Sequence, residues 1–195
     1  MVRGFLQSGF SVVSRWGWVL VGLNWLFFGL IVVGSLLVEA GVFGVSVWPF
    51  GEVAPVEISN PVLLFGFIFV FNLALSGFAL MTLTGVLFFG LSIFFLGFRG
   101  FLWGTLAAGL STPMFLAALP TLILEGEAYV LAALAGVNLG LSWFQPKWVY
   151  KEEKDGLSRS EALRRALRES AYVYVFVVAL LLAAAILETM TLVFI

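Results

Sequence analysis

From residue 61 to residue 144 the chain carries three charged side chains, Arg99, Glu125 and Glu127. A stretch that long with so little charge cannot turn a polar face to water, because about a quarter of the residues in a soluble domain are charged. The remainder repeats the pattern, with apolar runs from Trp16 to Val38 and from Ala171 to Ile195 separated from the middle by polar stretches at 40–60 and 145–170. Of the 195 residues 62% are apolar and 11% charged, which excludes an ordinary soluble globule and points to an all-α integral membrane protein. A span needs about 20 residues, so the apolar runs supply five or six crossings within a single transmembrane domain, 1–195.

Arg3 and Arg15 precede the first run as they would in a signal peptide. That run is longer than the roughly 7–15 residues of a signal core, and no small-x-small site follows it, so it reads as a retained span. Residues 1–15 alternate apolar and polar positions as a short interfacial helix does. Cys is absent and Gly does not follow Met1, which leaves no lipidation motif. Without His or Cys the chain has no Ser-His-Asp or Cys-His system, no thiol redox pair and no His/Cys zinc site. An enzyme would have to run on carboxylates, Lys, Tyr or Ser, and no cofactor or metal is expected. Ten basic against eleven acidic residues carry no nucleic-acid signature.

The positions of the basic residues suggest an orientation. Lys and Arg favour the cytoplasmic side. If residues 61–98 cross only once, Arg3, Arg15, Arg99 and the seven basic residues between Lys147 and Arg168 all fall on that side, with the N-terminus inside and the C-terminus outside the cell membrane. The spans are then 17–38, 78–98, 101–119, 123–144 and 171–193. Residues 40–60 form an extracytoplasmic loop, and 61–76 form a separate dipping or interfacial helix that breaks from the next near Ser76-Gly77. Six spans is the alternative. Residues 145–170 form a cytoplasmic basic interfacial segment, where Ser158-Arg159-Ser160-Glu161 fits a capping box. Arg159, Arg164, Arg165 and Arg168 are placed to meet anionic lipid. Trp143, Trp148 and Tyr150 fit an interfacial aromatic belt, and Ser111-Thr112-Pro113 is placed to kink the third span.

On the fourth span Ala128, Ala132, Gly136 and Gly140 recur every four residues, and Gly100, Gly104 and Ala108 make a shorter row. Such ridges let helices approach closely, either within the bundle or across a homodimer. An ionisable group inside a span is a functional hypothesis by default. In the five-span arrangement Glu125, Glu127 and Glu188 lie in the outer third of the membrane with no Lys or Arg beside them. They must be uncharged, hydrogen-bonded to groups such as Asn72, Thr121 or Tyr129, or holding a cation. Glu125 and Glu127 point in different directions, so at most one of them is expected to face Glu188. A stabilising role is the competing reading, since a carboxyl following Pro120 at a helix start complements the helix dipole. Asn24, Asn72 and Asn138 read as interhelical hydrogen bonds.

The stretch Pro120-Thr121-Leu122-Ile123-Leu124-Glu125-Gly126-Glu127-Ala128, followed by Ala132-Ala133-Leu134-Ala135-Gly136 and Gly140, resembles the Pro-His-Gly…Glu…Ala…Ala-Gly…Gly segment of the stage II sporulation protein M (SpoIIM) family. Asn72 ahead of Gly85, and the run Leu182 to Thr189, match the family in the same order, covering about residues 60–195. The family's His position holds Thr121 and its Gly holds Leu122, so no role of that His carries over. The resemblance implies a polytopic, non-enzymatic membrane protein, and the place of Glu125 in the family segment makes Glu125 the one expected to face Glu188, with Glu127 nearer the headgroups. In spore formers relatives act as the membrane scaffold of a complex that remodels septal peptidoglycan, the hydrolases being separate proteins.

Two functional classes follow: a membrane scaffold or assembly partner, and a small oligomeric channel or cation- or proton-coupled transporter using Glu125 and Glu188 with Asn72. An intramembrane hydrolase lacks supporting residues. Expected partners are membrane lipids, further copies of the chain in a homodimer or higher oligomer, or a membrane or cytosolic protein.

Overall fold

The computed structural model describes residues 2–44, 60–150 and 157–194, all helical apart from short connections and without a strand among the described residues. Seven helices follow in order: α1 (Val2–Arg15), α2 (Gly17–Glu39), α3 (Pro61–Leu87), α4 (Phe89–Ala107), α5 (Thr112–Phe144), α6 (Pro146–Val149) and α7 (Arg159–Phe194). Five of them, α2, α3, α4, α5 and α7, are long and apolar enough to cross a membrane. Most of the expected extracytoplasmic loop, with Glu52 and Glu57, lies outside the described residues, as do Lys151 and Lys154.

The number of crossings matches the five expected, but their boundaries do not. Residues 61–76 are not a separate dipping helix; they open α3, which continues unbroken past Ser76-Gly77 to Leu87. Asn60 caps its start, accepting from the Val62 and Leu63 amides at 2.9 and 3.4 Å, with Pro61 in the first turn, where its missing N–H costs nothing. From Phe71 to Leu83 the helix is wound wider than an α-helix, with i→i+5 bonding. Its buried positions there are Asn72, Ser76, Gly77, Met81 and Thr82, recurring every four to five residues instead of every three to four. The break comes at Phe88, one extended residue whose ring folds over Gly90, where a Cβ would lie 2.5 Å from it. Ser92 Oγ donates to the Met81 carbonyl at 2.5 Å across this turn, closing α3 and α4 into an antiparallel hairpin.

The prolines at the start of α5 also exchange the roles expected of them. Pro113 sits in the first turn of α5 behind Ser111, so it opens a helix where a kinked span was expected, and Pro120 lies inside the helix. α5 has 33 residues and α7 has 36. At 1.5 Å per residue each is about 50 Å long, well beyond a roughly 30 Å hydrocarbon core, so both extend past it or tilt. The capping box is present at the start of α7: the Ser158 amide donates to Glu161 Oε2 at 3.1 Å and the Glu161 amide to Ser158 Oγ at 3.4 Å.

The most extensive pairings are α5 with α7 and α2 with α4. Small residues make the second one close. A side chain on Gly100 would run into the Phe27 carbonyl, one on Gly104 into the Ile31 carbonyl, and one on Gly34 into the Phe101 carbonyl, while Ser35 Oγ donates to the Gly104 carbonyl at 2.8 Å. The Ala128, Ala132, Gly136, Gly140 ridge is buried inside the bundle. Gly136 meets the Met81 carbonyl and Ser92, Gly140 meets the Gly85 carbonyl, and Thr82 Oγ1 donates to the Ala132 carbonyl at 2.8 Å. A ridge covered by its own chain cannot form a homodimer seam. Around it Phe27, Met81, Leu96, Tyr129 and Val177 form the core. α1 lies on α7, with Gly9 against the Phe176 ring and the Tyr172 carbonyl.

Candidate functional site

Arg99 does not stand in a turn at the membrane face. It sits ten residues into α4, about 15 Å along the helix, and only 9% of its surface is exposed. Its Nη2 donates to the Tyr129 hydroxyl at 3.2 Å, and that hydroxyl donates to Glu125 Oε2 at 3.3 Å. Glu125 Oε1 accepts from Asn72 Nδ2 at 2.6 Å. Glu125 and Tyr129 are one turn apart on α5 and both are buried, so they present a carboxylate and a phenol to the same point. The guanidinium also lies over the Tyr129 and Trp103 rings, 5.1 and 5.7 Å from their centroids, in cation–π geometry.

Glu188 of α7 completes the centre. Its carboxyl meets that of Glu125 directly, within the field of Arg99. The expectation that Glu125 faces Glu188 while Glu127 points elsewhere holds: Glu127 is half-buried on another face, against Asn24 of α2. The expectation that the acids have no cationic partner fails. Arg99 supplies one because the middle of α4 passes the middle of α5, which a rule about loop charges does not foresee. Nor is Glu125 at a helix start, being well inside α5, so the helix dipole does not account for it.

A cavity of about 260 Å³ opens beside this centre, between the ends of α4 and α7 and the beginning of α5. Trp103, Leu110, Phe115 and Leu192 are among its apolar walls, and its polar groups come from Glu188, Thr121 and Thr191. Thr121 therefore lines the cavity one turn before Glu125. Among the described residues no three His, Cys, Asp or Glu side chains gather as a metal site.

A second charged cluster lies at the other end of the bundle and is absent from the sequence reading. Glu169, 8% exposed, accepts from Arg15 Nη1 and Nη2 at 3.1 and 2.5 Å and from Arg165 Nε at 3.3 Å. Asn138 Nδ2 and the Tyr150 hydroxyl donate to it at 3.3 and 3.1 Å. Arg15 and Arg165 also lie over the Tyr150 ring, 5.4 and 4.6 Å from its centroid. Burial pushes the Tyr150 phenol above its ordinary range. Burial works against the Arg15 charge too, but the Glu169 carboxylate outweighs it and holds the guanidinium above its usual value. Tyr150 is thus part of a buried clamp that ties α1 to α5, α6 and α7, while Trp143 and Trp148 are exposed as a belt requires. Arg165 turns partly inward to the clamp; Arg159, Arg164 and Arg168 are exposed.

Of the expected hydrogen-bonding asparagines, Asn72 and Asn138 bridge helices to Glu125 and Glu169, and Asn24, which donates to the Leu20 carbonyl of its own helix at 3.1 Å, also meets Glu127 of α5. The i, i+4 pairing of Glu125 with Tyr129 and an arginine flanked on both sides by apolar sequence were the available signals for the central network.

Five membrane-length helices packed through glycine and alanine, with an arginine and two carboxyls held among them, define a polytopic integral membrane protein. The sequence model of Stage II sporulation protein M matches residues 25–191, which contain every member of the central network and all of the second cluster except Arg15. The chain belongs to the SpoIIM family. Neither curated proteins nor solved structures give a match.

Proposed function

We propose that this SpoIIM-family protein is a non-enzymatic membrane scaffold or assembly partner, held in the cell membrane with its Arg15 and Arg159–Arg168 end toward the cytoplasm. The observation that carries this reading is the pairing of Arg99 through Tyr129 with Glu125, beside Glu188. Charges buried in a span and left unmatched would favour a transported cation or proton as their partner. Here the counter-charge comes from the protein itself, across α4, α5 and α7. Such a network joins helices that lipid alone would not drive together, since apolar side chains gain little by leaving lipid for one another. The packed ridge from Ala128 to Gly140 supports the same view of a firmly closed middle.

The exposed arginines on α7 give the cytoplasmic end affinity for anionic lipid, at about 1 kcal/mol for each basic residue near the surface. The test is purification from native membranes after mild cross-linking, where one membrane protein should be recovered with the chain in constant ratio. Repeated purifications without such a partner would overturn the scaffold reading. So would an ion flux in proteoliposomes that both Glu125→Gln and Glu188→Gln abolish. A reporter inserted at position 155 should read as cytoplasmic; a signal from the other side would reverse the orientation.

A further inference from the structure

The central network leaves out Glu127, although this acid also lies in mid-span, about 22 Å along α5 from Thr112 and about 25 Å from Phe144. It is half-buried, and among the described residues the one side chain that meets its carboxyl is Asn24 of α2. A carboxylate has about four acceptor positions, and one amide does not fill them. Glu127 is not on the wall of the cavity beside Glu188, so its open side is turned to the bilayer. An ionisable group there is costly, and hydrocarbon offers it no donor. The lipid-facing residues Leu116, Pro120 and Ile123 run along α5 at steps of four and three and end, after four more, on Glu127. That is the spacing by which one helix meets a neighbour along a seam. On α2, next to Asn24, Trp25 is 77% exposed and carries an indole N–H, which can only donate.

We propose that this face of α2 and α5 pairs with the same face of a second copy of the chain. It holds donors on α2, the Asn24 amide and the Trp25 indole, and an acceptor on α5, the Glu127 carboxyl. A surface with both is complementary to itself: across a two-fold axis the donors of each copy meet the carboxyl of the other, and every contact forms twice. A carboxyl accepts from an N–H whether or not it carries a proton, so the pairing needs no particular charge state. A foreign helix that brought only donors would satisfy Glu127 and leave the Trp25 N–H in lipid, which favours the second copy. The seam is separate from the ridge of small residues on α5, which lies inside the bundle. The pairing does not rest on the scaffold role, because it is read from the purified chain alone and the scaffold role from what native membranes yield with it.

The test counts copies of the full chain, each with one fluorophore on an N-terminal tag, by photobleaching in liposomes of decreasing protein content. Two-step vesicles in excess of chance occupancy are expected, and single steps at chance frequency throughout overturn the proposal. Glu127→Leu and Asn24→Leu should each weaken the pairing by about tenfold, as the loss of two symmetry-related hydrogen bonds in a membrane implies. Wild-type pairing in either variant overturns it as well. The chain has no cysteine, so a single introduced thiol reports its neighbour without background. Under mild oxidation Ile123→Cys should give a disulfide-linked dimer, and Val70→Cys, on an exposed face of α3, should not. No disulfide at position 123, or one formed as readily at position 70, refutes the assigned face. The counting uses the wild-type protein, so it decides the matter even where a variant does not fold.

Discussion

Replacing Arg99 by Met is the most direct perturbation of the central network. Met preserves most of the aliphatic length and packs well, so the change isolates the charge and its hydrogen bonds. In the native protein Arg99 is 9% exposed, and its Nη2 holds the Tyr129 hydroxyl at 3.2 Å, oriented toward Glu125. Removing one partner of a buried ion pair typically costs 3–5 kcal/mol because the other charge is left uncompensated. The lower end, about 3 kcal/mol, applies here, since Asn72 still donates to Glu125 at 2.6 Å. The companion change Glu125→Gln removes the stranded charge while keeping an acceptor for Asn72. The double variant should therefore be more stable than Arg99→Met alone, with a coupling of about 1–2 kcal/mol between the two sites.

The assay is equilibrium unfolding in mixed micelles, followed by tryptophan fluorescence, on the wild type, both single variants and the double. A midpoint for Arg99→Met within about 0.5 kcal/mol of wild type, as for an ordinary surface substitution, would refute the view that this arginine is a buried partner of the acids. A strictly additive double variant would refute the coupling through Tyr129.

The glycine contacts make opposite predictions at two positions on the bundle. Gly104→Ala should destabilise by about 2 kcal/mol, because its Cβ runs into the Ile31 carbonyl and α2 must move away from α4. Gly22→Ala meets nothing within 4 Å and should stabilise by up to about 1 kcal/mol through helix propensity, and unfolding midpoints compare the two directly. Glu169→Gln should cost about 1–2 kcal/mol, discounted because the Arg15 and Arg165 side chains remain 33% and 47% exposed. It should also raise amide exchange across α1, and unchanged exchange there would show that the clamp does not hold α1 to the bundle. Asn60→Ala removes the cap of α3 and should cost about 1 kcal/mol, read as faster exchange at the Val62 and Leu63 amides.

Several elements were legible from local sequence because their causes are local. The capping box at Ser158-Arg159-Ser160-Glu161 depends on three consecutive steps of chain, and the small-residue ridge on α5 depends on a spacing of four. The boundaries of α3 and α4 were not legible in this way. Residues 61–98 are apolar almost throughout, so hydropathy offers no mark for a turn, and the wide winding from Phe71 to Leu83 defeats a search at the α-helical period. The actual break, Phe88 folded over Gly90, is a packing event between two neighbouring side-chain positions. Pro113 and Pro120 illustrate the same limit: both can open a helix, and only the path of the chain decides which one does.

By itself the sequence determined that this chain lives in a bilayer, because 11% charge cannot clothe 195 residues in water. It also determined the acids worth attention, since an ionisable side chain in an apolar run is rare enough to stand out. Only the tertiary structure decided what those acids face. Arg99 is 26 residues from Glu125 and 89 from Glu188 in the chain, and nothing local distinguishes an arginine in a turn from one in mid-span. Folding α4 against α5 and α7 brings the three together, because a guanidinium withdrawn from water must find its counter-charge within the bundle.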